Sequence, residues 1–201
     1  MVAKKFLDNF ILLYFSLKHQ FNKIYQNSNL YDKKISKTYG NTFEYKPSPH
    51  LLSSIVKYQK KKYKIEDFTL DSIWNERINS KDYKKLNNFF WFFSLDLKSS
   101  KKTVQSIISN WINNNVRYNN KSWDFDLTSK RVISWLSNHE LTYDENDKEY
   151  KVKFDSSIQK QVNHLLNEIK NSKVFENKMI GCAAIILTGL AYKNKIYLDS
   201  G

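Results

Sequence analysis

Apolar residues recur at the spacing of an α-helix along most of the chain, and this periodicity limits the possible folds more than any other feature. The stretch 101–115 is the clearest case, with Val104, Ile107, Ile108, Trp111 and Ile112 on one face. Only four Gly and two Pro occur, so the residues that tight turns between strands need are scarce. With an apolar share of 41%, these features predict an all-α protein with a sizeable core.

The periodicity assigns each helix an approximate range. Helices are predicted at 3–26, 81–97, 101–115, 124–138, 155–171 and 176–192, and another is predicted to begin at Pro49. Asp124 is the expected cap of the 124–138 helix, and Asp155 or Ser156 that of the 155–171 helix. The last helix is apolar on every side and is expected to be central and wholly buried.

One short region departs from helical spacing. Tyr63, Ile65, Phe68 and Leu70 alternate with polar residues, which predicts a small β-hairpin near residues 62–74.

The formal net charge of +13 has two explanations. A basic surface attracts polyanions, but codon bias in an AT-rich genome also enriches Lys, Asn, Ile, Tyr and Phe. Nucleic acid is not the expected partner, because the aromatic residues fall on the apolar faces of helices. An exposed platform with interleaved basic residues would be needed instead.

Motifs that would identify a common catalytic chemistry are absent from the sequence. It contains no glycine-rich phosphate loop, no HExxH motif and no paired-cysteine metal site. Cys182 is the sole cysteine and is expected to be a buried thiol. His139 is expected near a helix end, and His164 is expected to be partly buried with its hydrogen bonds satisfied. No catalytic residue and no metal ligand is therefore assigned, and the cofactor is unknown.

The N-terminal stretch has basic flanks around the apolar run Phe10–Phe15. This run is too short to span a membrane, and no small-residue cleavage site follows it. An amphipathic helix is the preferred interpretation, with an uncleaved signal or an interfacial anchor as the alternative. A membrane partner is not expected, and the missing cleavable signal favours the cytoplasm over the periplasm.

Five segments, taken in order, resemble blocks of heparinase II/III-like proteins. They are NNFFWFFSLDL (87–97), NWINNN (110–115), SWDFDLTSKRVISWL (122–136), QKQVNHLL (159–166) and AAIILTGLAY (183–192). Order and spacing agree over residues 63–192. Two features depart from the family pattern: Lys130-Arg131 stands where the family has an Arg-Arg pair, and the tryptophan of the first block is displaced to Trp91. The first 60 residues match least well.

The resemblance implies an incomplete (α/α) toroid of antiparallel helices over residues 61–201, preceded by a helical or irregular segment over residues 1–60. Family members are polysaccharide lyases that cleave acidic, uronate-containing polysaccharides by β-elimination. Their catalytic groups lie in later helices and in a C-terminal β-sandwich domain, here expected beyond Gly201. The chain is therefore predicted to be an inactive fragment of a lyase.

The resemblance also places Trp123, Arg131 and Trp135 at or below the toroid cleft, as substrate-binding residues for an acidic polysaccharide or oligosaccharide. Aromatic rings stack on sugars, and arginine pairs with carboxylates. The alternative for these residues is structural, with Trp135 in the core and Arg131 paired with an aspartate. The alternative for the whole chain is a non-catalytic helical module that binds anionic carbohydrate or a membrane surface.

Overall fold

The computed structural model describes residues 2–39, 80–95 and 101–201. Throughout these ranges the regular structure is helical, and none of their residues forms a strand. The prediction of an all-α protein is therefore confirmed. The β-hairpin near residues 62–74 and the helix starting at Pro49 lie outside the described residues.

Nine α-helices and one 3₁₀ helix follow one another along the described ranges. They are α1 (Val2–Gln26), α2 (Asn29–Ile35), α3 (Ser80–Asn87), the 3₁₀ helix (Phe90–Ser94), α4 (Lys101–Asn114), α5 (Phe125–Ser137), α6 (His139–Thr142), α7 (Lys148–Glu168), α8 (Phe175–Ala191) and α9 (Lys195–Ser200).

The core lies among α4, α5, α7 and α8, and α5 packs against both α7 and α8. The predicted apolar face of α4 is buried as expected, including Trp111. Asp124 caps α5 as predicted, because its carboxylate accepts a hydrogen bond from the Asp126 backbone N–H at 3.1 Å. Capping satisfies a backbone donor at the first turn of the helix that has no partner within it.

The prediction of one continuous helix over residues 81–97 is wrong. The structure has α3 and the 3₁₀ helix there, with a break between them. Phe89 takes a left-handed backbone conformation with φ of 57°, and the Asn88 side chain accepts from the Phe90 N–H at 2.9 Å. This break turns the Phe89 ring into the core, where it meets Trp135 edge-on at 5.2 Å between ring centroids. Aromatic packing outweighs the helical preference of the segment.

The start predicted for the 155–171 helix is also wrong. Helix α7 begins at Lys148, and its cap is Asp147, whose carboxylate accepts from the Tyr150 N–H at 2.9 Å. Tyr150 and Phe154 are both buried, so the first two turns already carry an apolar face. Asp155 lies inside the helix instead of capping it.

Helix α8 is not wholly buried, contrary to prediction. Its small residues Gly181 and Ala184 face the core, and Phe125 of α5 packs directly over Gly181. Met179, Ile186 and Leu190 are exposed on the other side. An apolar composition alone does not distinguish these two faces, because large apolar residues occur on both: Ile185 and Leu187 are buried, whereas Ile186 and Leu190 are exposed.

Candidate functional site

The three predicted substrate-binding residues all lie in the core. Trp123 lies two residues before the start of α5, and Arg131 and Trp135 lie on that helix. Trp123 is 2% exposed, and the other two are fully buried. The rings of Trp123 and Trp135 both pack against Trp111. The sugar-binding role of these residues stays a prediction, and their burial does not favour stacking on a sugar.

Arg131 is a buried cation surrounded by neutral oxygens. Its guanidinium donates to Gln161 Oε1 at 2.6 Å, to the backbone oxygens of Asn87 and Ser122 at 2.7 and 3.0 Å, and to Thr128 Oγ1 at 3.2 Å. It also lies 4.0 Å from the ring centroid of Trp111, a cation–π contact.

The hydrogen bonds of Arg131 therefore go to amide, hydroxyl and carbonyl oxygens instead of the carboxylate that the structural alternative expected. Burial lowers the pKa of Arg131 to about 9, so the side chain is charged at neutral pH. In this position it joins α5 to α7, to the end of α3 and to the turn before α5.

His164 lies beside this group in a fixed tautomer. Nε2 is 2.8 Å from the Trp123 carbonyl oxygen, which can only accept, so Nε2 carries the proton. Nδ1, 2.7 Å from the Tyr31 hydroxyl, is then the acceptor. Burial lowers the pKa of His164 to about 4, and the nearby Arg131 charge acts in the same direction. The imidazole is neutral at pH 7, and both of its nitrogens are satisfied.

Asp155 forms a second buried polar group. Tyr192 donates to its Oδ1 at 2.8 Å, and Tyr143 donates to its Oδ2 at 3.4 Å. Burial raises the pKa of Asp155 to about 6, although Lys151 and the two hydroxyl donors oppose this rise. A raised carboxylate pKa is a property of many catalytic acids, but Asp155 is buried among core residues.

A cavity of about 360 Å³ opens next to the Trp123 end of this core. Its walls come from α4, α7 and the residues that follow α2 and α4, including Thr38, Asn115, Trp123, Lys153 and Lys160. It therefore combines two amines, hydroxyl and amide groups and an indole, which are groups that bind oxygen-rich anions.

The two lysines of the cavity differ in their hydrogen-bond and ion-pair partners. Lys160 Nζ lies 2.7 Å from Asp32 Oδ1 and donates to the Val116 carbonyl at 2.6 Å. Lys153 Nζ donates to the neutral Ser109 hydroxyl at 3.0 Å. Lys153 is thus held by a neutral group, and it also borders a second cavity that Asp144, Asp147 and Glu149 line.

Trp123, one of the residues that line this cavity, has an indole N–H without an acceptor among the described residues. The nitrogen is buried, and leaving a buried donor unpaired costs about 1–3 kcal/mol. An acceptor supplied by a ligand or by water would remove that cost.

Sequence reasoning missed both lysines of this cavity. They lie seven residues apart on α7, which places them two turns apart on one helix face. This spacing could have pointed to the pair. However, Lys is so frequent in the sequence that two lysines at helical spacing do not stand out. The partners from other elements could not be read from any local pattern.

The described ranges hold neither a cluster of metal ligands nor a membrane-spanning helix. No group of three or more His, Cys, Asp or Glu side chains there could hold a metal ion. No helix in those ranges combines the length and hydropathy needed to cross a membrane. Comparison with known proteins found no matching family model, no matching curated protein and no matching solved structure.

Proposed function

We propose that this chain is the helical, substrate-holding part of a heparinase II/III-like lyase acting on uronate-containing polysaccharide. Three features support the proposal: the resemblance over residues 63–192, the all-α class, and the basic cavity beside Trp123. The (α/α) toroid belongs to the same proposal. No catalytic residue is assigned within residues 1–201.

The cavity is the observation on which the proposal depends most. A uronate carries one carboxylate and several hydroxyl groups, and the cavity offers the matching donors. Lys153 would pair with the carboxylate, and the Trp123 N–H would donate to a sugar oxygen. Arg131 and Trp135 would act from below, by fixing the position of Trp123 through the packed core.

Binding of acidic oligosaccharides tests this proposal directly. Alginate, heparan sulfate, chondroitin and hyaluronan fragments are titrated into the chain by calorimetry at low salt, with a neutral oligosaccharide as the reference. Lys153→Ala should weaken binding of the preferred acidic ligand at least fivefold, since a charge-assisted hydrogen bond is worth about 1.5–3 kcal/mol. Lys195→Ala, at an exposed site on α9, should have no effect.

A conservative change tests the indole donor separately. Incorporating benzothienylalanine at position 123 keeps a bicyclic aromatic ring of nearly the same size in the core and removes the N–H donor. Weaker binding with an unchanged melting temperature would support a direct hydrogen bond to the ligand. Equal affinity for neutral and acidic sugars, or no loss in Lys153→Ala, would contradict the proposed site.

A second candidate is the non-catalytic module that binds anionic carbohydrate, because the same cavity would serve it. The two are separated by the ultraviolet absorbance of unsaturated uronate products. The assay is run on this chain and on the chain extended through the reading frame after Gly201. Product from the extended form supports the lyase, whereas binding without product from either form supports the module.

A further inference from the structure

Helix α1 carries an apolar stripe that no other part of the described chain covers. Phe10, Leu13, Leu17, Phe21 and Ile24 are spaced three or four residues apart and share one face. Their side chains are 62%, 57%, 45%, 70% and 69% exposed. Single exposed apolar residues are common on protein surfaces, but a continuous stripe marks a binding surface.

Within the described ranges, the hydrogen bond and the ring contact that join α1 to the core lie at its C-terminal end. There Gln26 accepts a hydrogen bond from the Tyr118 hydroxyl at 2.9 Å, and Tyr25 packs edge-on against Tyr31. The five stripe residues precede these contacts. The stripe can therefore meet a partner without disturbing the core.

The surroundings of the stripe are basic. The sequence of α1 contains four lysines and one aspartate, a formal net charge of +3. Lys18 and Lys23 are exposed and lie outside the stripe. A cavity of about 720 Å³ beside α1 brings Lys18 together with Lys170 and Lys173, from the turn after α7.

This charge decides between the possible partners. A second copy of α1 would add a like charge of +3 at the contact, and the whole chain already carries +13, so self-association is opposed. An anionic lipid surface complements both features, because it accepts an apolar face and attracts lysines. Crossing the membrane is not required for such binding.

We propose that α1 lies in the interface of an anionic lipid bilayer, with its Phe10–Ile24 stripe inserted between the lipids. Lys18, Lys170 and Lys173 then contact lipid phosphates at the edge of the stripe. The expectation that a membrane partner is unlikely rested on the short apolar run, which argues against crossing a membrane and leaves binding in its interface open. This inference does not depend on the carbohydrate-binding cavity.

Flotation of the full chain with lipid vesicles tests the proposal. Vesicles of phosphatidylcholine with phosphatidylglycerol should bind the protein at low salt, and vesicles of phosphatidylcholine alone should bind it at least tenfold more weakly. Leu13→Glu/Leu17→Glu should reduce binding to the mixed vesicles more than tenfold. The double variant Lys18→Glu/Lys173→Glu should reduce binding to the mixed vesicles by about fivefold or more for each lysine replaced.

Matched controls separate lipid binding from loss of folding. Val152→Glu also places a carboxylate at an exposed apolar position, but on α7, and should leave vesicle binding unchanged. Circular dichroism melts should be the same for all these variants. The α1 variants should retain acidic oligosaccharide binding, and Lys153→Ala should retain vesicle binding, so the two proposals fail independently.

Insertion itself is measured with a single fluorophore. In a Cys182→Ser background, an environment-sensitive dye on Leu17→Cys should shift to the blue with mixed vesicles, and a dye on Val152→Cys should not. Absence of flotation at low salt, or flotation unaffected by Leu13→Glu/Leu17→Glu, would overturn the proposal. So would a lipid-free dimer, seen by sedimentation, that Leu13→Glu/Leu17→Glu dissociates.

Discussion

At the scale of single residues, Arg131 shows how a charge contributes to a core without a carboxylate partner. Its planar guanidinium makes four hydrogen bonds to neutral oxygens and stacks over Trp111. Burying a charge is costly unless it is hydrogen-bonded, and these contacts supply the compensation. The side chain thereby fixes where the turn before α5 meets α3.

Replacement of Arg131 by lysine should destabilise the protein although the charge is kept. A single ammonium group cannot reach all four oxygens and cannot stack as a flat group. We expect Arg131→Lys to lower the free energy of unfolding by about 2–4 kcal/mol, measured by urea denaturation.

The neighbouring basic residue provides the matched control. Lys130 pairs with Asp126 at 2.6 Å, but this i,i+4 pair is partly exposed, and such pairs contribute little. Lys130→Met should change the free energy of unfolding by less than about 0.5 kcal/mol. If the two substitutions had similar effects, the structural role assigned to Arg131 would be wrong.

At the scale of helices, the start of α7 is open to a direct test. Asp147 caps the helix, whereas Ser156 is an exposed residue within it. Asp147→Ala should cost about 1 kcal/mol of stability by removing the cap. Ser156→Ala should stay within about 0.5 kcal/mol. The reverse order would restore the later helix start that the sequence pattern predicted.

Features of these helices could be predicted when they depend on residues close in sequence, and not when they depend on distant ones. The face of α4 and the Asp124 cap depend on residues close in sequence, and both predictions are confirmed. The break at Phe89 depends on ring contacts with Trp111 and Trp135, which are distant in sequence. Local periodicity cannot show such contacts, so the predicted 81–97 helix ran through the break.

For the candidate site too, only what depends on residues close in sequence could be predicted. Trp123 was selected from the sequence, and the structure does place it at a cavity. Its neighbours there come from the residues after α2, from α4 and from α7, so their meeting depends on tertiary structure. The predicted ring-stacking role was drawn from residue type alone, which carries no information about burial.

At the scale of the whole molecule, two buried ionisable groups connect elements that are far apart in sequence. His164 on α7 bonds Tyr31 on α2 and the Trp123 carbonyl. Asp155, also on α7, bonds Tyr143 and Tyr192. Folding shifts the pKa of each group, so the stability of the molecule depends on pH through both.

The two shifts have opposite signs. The pKa of His164 falls from 6.5 to about 4 on folding, so its contribution is complete above pH 6.5 and is lost as the pH falls toward 4. The pKa of Asp155 rises from 3.8 to about 6, so the folded state binds its proton more tightly. The Asp155 contribution is therefore complete below pH 3.8 and is lost as the pH rises toward 6.

Between pH 4 and 6 the two effects oppose each other and should largely cancel in the wild type. Each shift corresponds to about 3 kcal/mol at 1.36 kcal/mol per pKa unit. In Asp155→Asn only the histidine effect remains, so the free energy of unfolding should rise with pH across this window. In His164→Gln only the aspartate effect remains, and the free energy of unfolding should fall.

Urea denaturation of the wild type and both variants at pH 4, 5 and 6 measures these slopes. The tyrosines and the arginine that face the pair do not titrate in this window, because burial raises the pKa values of Tyr31, Tyr118, Tyr143 and Tyr192 and lowers that of Arg131 only to about 9. Opposite slopes in the two variants would show that α7 carries two antagonistic titrations. Parallel slopes in all three proteins would refute both pKa assignments, because neither substitution would have removed a group that titrates on folding.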